Sequence, residues 1–173
     1  MPVQESTNGM RVEPNQVYII PRDTTMTIAG GELKLKPRGD ARGPHLPVDA
    51  FFRSLAEDRL SGAIGVILSG TGSDGTLGLE DIKAAGGITL AQDEESAKFA
   101  GMPQSAIRSG CIDVVSTPEG IAEEIVRIGR HPYVATPSAV EQAPPVDDEE
   151  GFRKILMLLR SSFGVDFSGY RDT

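Results

Sequence analysis

One carboxylate, Asp74, lies in the glycine-rich segment Ser69–Gly75, which directly follows the apolar run Ala63–Leu68. A short apolar strand that ends in a glycine-rich turn is how an α/β protein presents a functional group at the carboxyl end of a strand. A helical pattern follows at residues 76–85. We therefore expect Asp74 on a tight strand-to-helix turn, at the sheet edge where ligands bind in this architecture.

Such a carboxylate can do several kinds of chemistry. It can orient the histidine of a Ser-His-Asp triad and stabilise the imidazolium that forms. It can bind Mg²⁺ or accept a phosphoryl group. It can also simply cap the helix at 76–85, by accepting hydrogen bonds from backbone N–H groups of the first turn. Spacing alone favours capping and leaves the other uses of Asp74 open.

The glycines of this turn raise the question of phosphate binding. Gly70, Gly72 and Gly75 satisfy the letters of G-x-G-x-x-G, a pattern typical of dinucleotide-binding loops. That site also needs an acidic residue at the end of a second strand about 20 residues further on, and Asp93 is the one candidate. No lysine follows as in a P-loop. Nucleotide binding is therefore a weaker hypothesis.

The composition is that of an ordinary soluble domain. The chain has 173 residues, of which 39% are hydrophobic and 24% charged. It contains neither the roughly 20 consecutive apolar residues of a membrane helix nor a secretory signal pattern. We expect no membrane insertion and a cytoplasmic location. Acidic residues outnumber basic ones by 25 to 17, and the net charge of -8 argues against nucleic acid as a partner.

Cysteine and histidine are scarce. Cys111 is the single cysteine, and His45 and His131 are the two histidines. An internal disulfide, a cysteine cluster or a histidine-rich metal site is therefore excluded. His45, which precedes a predicted helix, is interpreted as a loop residue. We expect neither a metal nor a cofactor.

Hydrophobic periodicity predicts alternating strands and helices. Strands are predicted at 17–20, 63–68, 88–91 and 112–115, with a β-hairpin formed by 25–28 and 32–35. Helices are predicted at 48–56 and 76–85, as short pieces within 94–110 broken at 101–103, and after the capping-type start at 116–119. Residues 1–16 look irregular, and 37–47 form a loop. The alternation over 48–129 predicts an α/β fold with a doubly wound, mainly parallel sheet and an inserted β-hairpin.

The last third of the chain differs in composition. Residues 131–150 are rich in proline and end in an acidic run, which is typical of a flexible linker. Residues 152–163 carry a helical apolar stripe. A single amphipathic helix cannot bury its apolar face alone, so it either docks on the domain or begins a second one.

Several separate motifs occur in an order that resembles a known family. They are Val12–Pro21, Ser69–Gly75, Gly86–Gly87, Ala91–Asp93, Gly101–Pro103 and Ile112–Val115. From about residue 2 to residue 130, the chain resembles the catalytic domain of the chemotaxis protein-glutamate methylesterase CheB. Residues 163–170 resemble the opening of the CheR methyltransferase N-terminal helical domain. The order is that of a CheB–CheR fusion protein, with domains at 1–130 and 151–173 joined by the linker at 131–150.

The resemblance carries functional expectations. It implies hydrolysis of glutamyl methyl esters on chemoreceptors, within the phosphorelay signalling of chemotaxis, and the cytoplasmic segments of methylated receptors as partners. It implies a Ser-His-Asp triad in which Asp74 is the aspartate. The backbone N–H near Thr71 matches the group that helps to hold the oxyanion. The family often has methionine there, but a backbone donor does not depend on the side chain. Substrate-binding residues and oligomeric state stay open.

Two members of the implied triad have no match. In the family the serine lies in a glycine-rich motif after the first strand and the histidine after the second, both upstream of the region that matches residue 1. The sequence around each remaining candidate differs from these family motifs. The candidates are Ser6, Ser69, Ser73 and His45. We therefore expect a domain truncated at its N-terminus, with Met1 an internal methionine of a longer reading frame, and inactive by itself. The alternative is a non-catalytic module that binds receptors or a partner chain. No receiver domain is visible, so control by phosphorylation is not visible either.

Overall fold

A computed structural model describes residues 1–38 and 45–130. The strands are β1 (Val3–Glu5), β2 (Val17–Ile19), β3 (Thr24–Ala29), β4 (Glu32–Pro37), β5 (Ile64–Ile67), β6 (Ile88–Gln92) and β7 (Val114–Ser116). The α-helices are α1 (Pro47–Arg59), α2 (Thr76–Ala84), α3 (Gly101–Arg108) and α4 (Pro118–Gly129). None of these described helices is both long and apolar enough to cross a membrane.

Three parallel strands form the sheet that carries the Asp74 turn, in the order β5-β6-β7. Helices α2 and α3 make the two crossovers, as parallel strands require. Gly65 and Ile67 of β5 are buried on the face that α2 covers. A Cβ atom at Gly65 would lie 2.4 Å from Cδ2 of Leu79, so glycine at this position lets α2 pack directly on the strand. The predicted α/β fold with a parallel sheet is confirmed.

The core of this part of the molecule lies between the sheet and its helices. Its buried members are Ala56, Ala63, Ile67, Leu79, Ile82, Ala106 and Cys111. These residues come from α1, β5, α2, α3 and the connections beside them. Helix α1 is therefore fixed against α2 by the same apolar cluster that fixes α2 on the sheet.

The predicted hairpin is present as the antiparallel pair of β3 and β4. Its buried residues Met26, Ile28 and Leu33 pack against Phe51 and Leu55 of α1. Helix α1 thus contacts the hairpin as well as α2, and the hairpin supports the helix whose first turn meets Asp74.

Two local predictions are wrong. Residues 1–16 are not wholly irregular, because β1 pairs in parallel with β2. The segment 94–110 does not contain short helices broken at 101–103, because α3 begins at Gly101 and runs unbroken to Arg108. Pro103 lies in its first turn, where a missing N–H leaves no helical hydrogen bond unmade.

The capping-type start of the last described helix is confirmed, since the Thr117 side chain accepts a hydrogen bond from the N–H of Gly120. Part of the predicted loop at 37–47 (residues 39–44), the linker at 131–150 and the helix at 152–163 lie outside the described residues.

Candidate active site

The Asp74 carboxylate accepts two backbone hydrogen bonds from the first turn of α1. Oδ1 accepts from the N–H of Asp49 at 2.9 Å, and Oδ2 accepts from the N–H of Val48 at 3.1 Å. Both carboxylate oxygens are therefore held from one side. A half-buried carboxylate placed at a helix N-terminus is also stabilised by the positive end of the helix dipole.

Helix α1 needs this carboxylate because its own sequence offers no cap. The N-cap position is Leu46, whose side chain cannot accept a hydrogen bond, and Pro47 follows it. The free N–H groups of the second and third helical residues normally bond to an N-cap side chain. Asp74 takes that role from another element. The expectation that Asp74 caps its own helix is therefore wrong, because the helix that it caps is α1 rather than α2.

Helix α2 receives its cap in return. Its N-cap residue, Gly75, has no side chain. The N–H of Gly78 in the first turn instead donates to Oδ1 of Asp49 at 2.9 Å. Asp49 is only 6% exposed. Two carboxylates, one from each helix region, thus accept hydrogen bonds from the first turns of two packed helices.

The turn after Asp74 has a conformation that favours glycine. Gly75 has φ +92°, in the left-handed region that residues with a side chain rarely adopt. A Cβ atom there would lie 2.6 Å from Ile67 Cδ1 and 2.7 Å from Val48 Cγ1. The backbone therefore approaches β5 and α1 closely, which brings the Asp74 carboxylate within reach of α1.

The other end of the loop is held by side chains. We define the Asp74 loop as Ser69–Gly75. The N–H of Ser69 donates to Oε1 of the buried Gln92 at 2.8 Å. Ser69 Oγ accepts from the N–H of Phe99 at 2.9 Å. The first residue of the loop is thereby joined both to the end of β6 and to the segment before α3.

Backbone bonds continue this attachment. The N–H of Gly70 donates to the carbonyl of Phe99 at 2.9 Å, and the Gly70 carbonyl accepts from Met102 at 3.0 Å. A Cβ atom at Gly101 would lie 3.0 Å from the backbone nitrogen of Gly72. Glycine at 101 thus allows the start of α3 to lie directly against the loop.

The middle of the loop, from Thr71 to Ser73, is exposed. Within residues 1–38 and 45–130, the backbone N–H of Thr71 has no hydrogen-bond acceptor. An exposed backbone N–H without an acceptor can donate to an anionic oxygen that develops on a bound substrate. The structure therefore places Asp74 and Thr71, the two predicted site residues, in one fixed loop.

None of the other nucleophile and base candidates is hydrogen-bonded to the Asp74 carboxylate within the described residues. The hydroxyl of Ser69 is engaged with Phe99, and Ser6 is buried in the N-terminal segment. His45 is half-buried just before α1. Among the described residues, the hydrogen-bond partners of the Asp74 carboxylate are two backbone N–H groups, and none is a histidine nitrogen.

Two other aspartates near the strand ends have perturbed acidity. Hydrogen bonds from the hydroxyl and the N–H of Ser96 lower the pKa of Asp93. Burial acts to raise the pKa of Asp113, but bonds from the Lys83 ammonium and from Thr89 outweigh it and hold that pKa below its usual value. Both carboxylates brace connections of the sheet. In the described ranges, no three His, Cys, Asp or Glu side chains gather as metal ligands would.

Sequence reasoning missed the roles of Asp49 and Gln92. The signal for Asp49 was its place in the first turn of a predicted helix, where a carboxylate is stabilised by the helix dipole. Gln92 was available as the central residue of the Ala91–Asp93 motif. Neither pattern predicts which residue bonds to the side chain, because each hydrogen-bond partner lies more than twenty residues away in sequence.

Comparison with known proteins agrees with this fold. The family model described as CheB methylesterase matches residues 1–125. The crystal structure of the Thermotoga maritima CheB methylesterase catalytic domain has a TM-score of 0.64 and 33% sequence identity, and the match covers 72% of this chain and 68% of that one.

Curated relatives extend the comparison. A protein-glutamate methylesterase/protein-glutamine glutaminase of Photorhabdus laumondii is 44% identical over 117 residues, which cover 65% of this chain and 33% of that protein. An uncharacterized 104.1 kDa protein of Rhodobacter capsulatus is 38% identical over 190 residues, which cover 99% of this chain and 20% of that protein. The chain thus spans a third or less of these two relatives. Since the family model covers most of the chain and the fold agrees with the solved domain, the chain belongs to the CheB methylesterase family.

Proposed function

We propose that residues 1–130 contribute to a protein-glutamate methylesterase site in which Asp74 is the aspartate of a Ser-His-Asp triad and the Thr71 N–H helps to hold the oxyanion. The observation that carries the proposal is the pairing, in one loop, of a carboxylate bonded through both oxygens with a backbone N–H that has no acceptor in the part of the chain that the structure describes. Membership of the CheB methylesterase family supports it.

The reaction would be hydrolysis of a glutamyl methyl ester by acyl transfer. A serine oxygen attacks the ester carbonyl, a histidine takes the serine proton and gives it to the departing methanol, and water then releases the glutamate by the reverse sequence. In this scheme Asp74 fixes the histidine tautomer and stabilises the imidazolium. The Thr71 N–H donates to the negative oxygen of the tetrahedral intermediate.

We further propose that the serine and histidine are not supplied by residues 1–173, so that this chain alone is inactive. The engagement of Ser69 with Phe99 supports this view, as does the absence of a histidine from the described partners of Asp74. Loss of the nucleophile or the base removes nearly all of a triad's contribution to rate. A methanol-release assay with purified chain and methylated receptor should give no turnover above buffer. Turnover that Asp74→Ala abolishes would disprove inactivity.

The role of Asp74 can be tested in a chimera. Residues 1–130 would replace the aligned segment of the Photorhabdus laumondii methylesterase, whose remaining part would supply the other groups. We expect the chimera to release methanol and Asp74→Asn to lower its kcat by about 10³- to 10⁴-fold. Asp81→Asn, a surface change on α2, is the matched control. A folded chimera whose turnover survives Asp74→Asn would contradict the proposal.

The proposed partners are the cytoplasmic segments of methylated chemoreceptors. The family supports this assignment, and a pull-down with such segments tests it directly. A non-catalytic module that only binds receptors or a partner chain is the second candidate, favoured by the same lack of a described histidine partner for Asp74. Receptor capture by this chain, together with an inactive chimera, would favour the binding module.

For the remainder of the chain, we propose a linker at 131–150 and the start of a CheR-type methyltransferase N-terminal domain at 151–173, as in a CheB–CheR fusion within chemotaxis phosphorelay signalling. Support comes from the Rhodobacter capsulatus relative, whose similarity extends over nearly the whole chain whereas the family model ends at residue 125. Limited proteolysis should cut first within 131–150 and leave a resistant fragment close to 1–130. First cuts inside 1–130 would contradict these boundaries.

A further inference from the structure

We infer that Gln92 is the positioning residue of the Asp74 loop. Gln92 ends β6, and its side chain is almost fully buried, at 4% exposed. Its Oε1 accepts the N–H of Ser69, the first residue of the loop. A buried side-chain amide is costly unless both ends are bonded, so a glutamine at this position needs partners at both ends.

The second end of the Gln92 amide is also bonded, which fixes its orientation. Nε2 donates to Ser96 Oγ at 3.0 Å, and Ser96 Oγ donates to Asp93 Oδ2 at 2.7 Å. The Ser96 hydroxyl donates its proton to Asp93, so toward Gln92 the Ser96 oxygen can act only as an acceptor. The end of the Gln92 amide that faces Ser96 must therefore be the nitrogen. The carbonyl end of Gln92 is therefore directed at Ser69.

Attachment at Ser69 sets the start of the loop relative to α3. Ser69 Oγ accepts the Phe99 N–H, and the Gly70 N–H donates to the Phe99 carbonyl. These two bonds join Ser69 and Gly70 of the loop to Phe99, in the segment before α3. The next residue, Thr71, directly follows these bonded residues, and its N–H has no acceptor among the described residues. Gln92 thus acts through Ser69 on the placement of the Thr71 N–H, while Asp74 is held separately by α1.

That this loop serves ester hydrolysis rests on the function proposed above, whereas the positioning can be tested without any ester. The experiment measures backbone amide hydrogen exchange of the whole chain by NMR, residue by residue. The variants are Gln92→Leu, which removes both amide contacts, and Gln92→Glu, which keeps an oxygen acceptor for Ser69. Thr89→Val is the matched control, because Thr89 is buried on the same strand but bonds to Cys111 and Asp113 instead.

We expect Gln92→Leu to speed exchange at Ser69, Gly70 and Phe99 by about tenfold, the factor for losing one hydrogen bond, and to shift the Thr71 amide resonance. Gln92→Glu should return these amides to within about threefold of the wild-type rate. Thr89→Val should leave them unchanged although it lowers global stability.

Three results would overturn the inference. They are unchanged exchange at Ser69 and Gly70 in Gln92→Leu, an equal increase in Thr89→Val, or failure of Gln92→Glu to restore slow exchange, which would assign the effect to packing. If Gln92→Leu does not fold, Ser96→Ala decides, since at an exposed residue it releases the far end of the Gln92 amide, together with the Ser96–Asp93 bond, and leaves the carbonyl end in place. It should speed exchange at Ser69 by about threefold, and an unchanged rate would refute the role of Gln92. None of these results depends on methylesterase turnover, so the two proposals fail separately.

Discussion

Asp49 and Asp74 exchange helix caps. The N–H of Asp49, in the first turn of α1, donates to the Asp74 carboxylate, and the Asp49 carboxylate accepts the N–H of Gly78 in the first turn of α2. Each helix begins at a residue without a capping side chain, Leu46 or Gly75, and obtains an acceptor from the other helix region. The candidate catalytic carboxylate is therefore part of the bond network that joins α1 to α2.

Removing the buried member of this pair should destabilise the fold. We expect Asp49→Ala to lower the free energy of unfolding by about 1–2 kcal/mol, because the Gly78 N–H loses its acceptor. Urea denaturation measures the change. Asp81→Ala, which breaks the exposed ion pair with Arg53, should cost no more than about 0.5 kcal/mol. Equal losses in the two variants would show that the cap on α2 contributes nothing.

The contact between the two helices should reverse a common substitution effect. Glycine-to-alanine changes inside helices usually stabilise by about 0.5–1 kcal/mol. At Gly78, however, an added Cβ atom would lie 2.5 Å from Phe52 Cβ and 3.1 Å from the Asp49 carbonyl oxygen. We expect Gly78→Ala to destabilise by about 1–3 kcal/mol. Gly129→Ala in α4, where a Cβ atom meets nothing within 4 Å, should stabilise. A gain at both positions would contradict the close approach of α1 and α2.

The bonds to Asp113 predict an acid-sensitive contribution to stability. Its pKa is lowered from the ordinary 3.8, so the folded state holds the ionised form better than the unfolded state does. This contribution is present above the unfolded pKa and is lost as pH falls through the folded value.

Urea midpoints of wild type and Asp113→Asn should therefore differ at about pH 7 and converge as pH is lowered to about 3 and below. Lys83→Met, which removes one donor to this carboxylate, should move the loss to higher pH. An equal difference between wild type and Asp113→Asn at all pH values would refute the assignment.

Backbone strain at the end of α1 offers a stabilising change. Leu60 has φ 48° and ψ −126°, a conformation that is costly for a residue with a side chain, and it is 60% exposed. We expect Leu60→Gly to stabilise by about 1 kcal/mol, since relief of strain exceeds the added freedom of the unfolded chain. Leu77→Gly, at an exposed leucine in the first turn of α2, should instead destabilise by about 0.5–1 kcal/mol. Thermal unfolding of both variants tests this, and a loss at Leu60 would show that its conformation is not strained.

Local patterns predicted most of the described elements, because their signals lie within single segments. The apolar stripe of α1, the alternation of the hairpin and the cap at Thr117 depend on neighbouring residues. The strand β1 was missed because three exposed residues carry no periodic signal, and it exists only through pairing with β2. The break predicted at 101–103 treated Pro103 as an interruption, although proline fits a first helical turn.

At the site, sequence reasoning identified the loop but not what holds it. Asp74 and Thr71 were predicted as site residues from residue order and family resemblance. The assignment of Asp74 to the wrong helix came from a rule that considers only the helix following a residue. The actual partner is 25 residues earlier in the chain, and at that separation only tertiary packing determines which residues meet. The same holds for Gln92 and Ser69, which are 23 residues apart.

The exchange of caps also bears on the order in which the site can form. A nascent chain that has made β5, its turn and α2 contains every residue of the local motif, yet Asp74 has nothing to fix its direction until α1 is seated against α2. Docking of the two helices and orientation of the carboxylate are thus a single event in folding. Any partner or mutation that separates α1 from α2 would release the carboxylate without touching the loop that carries it.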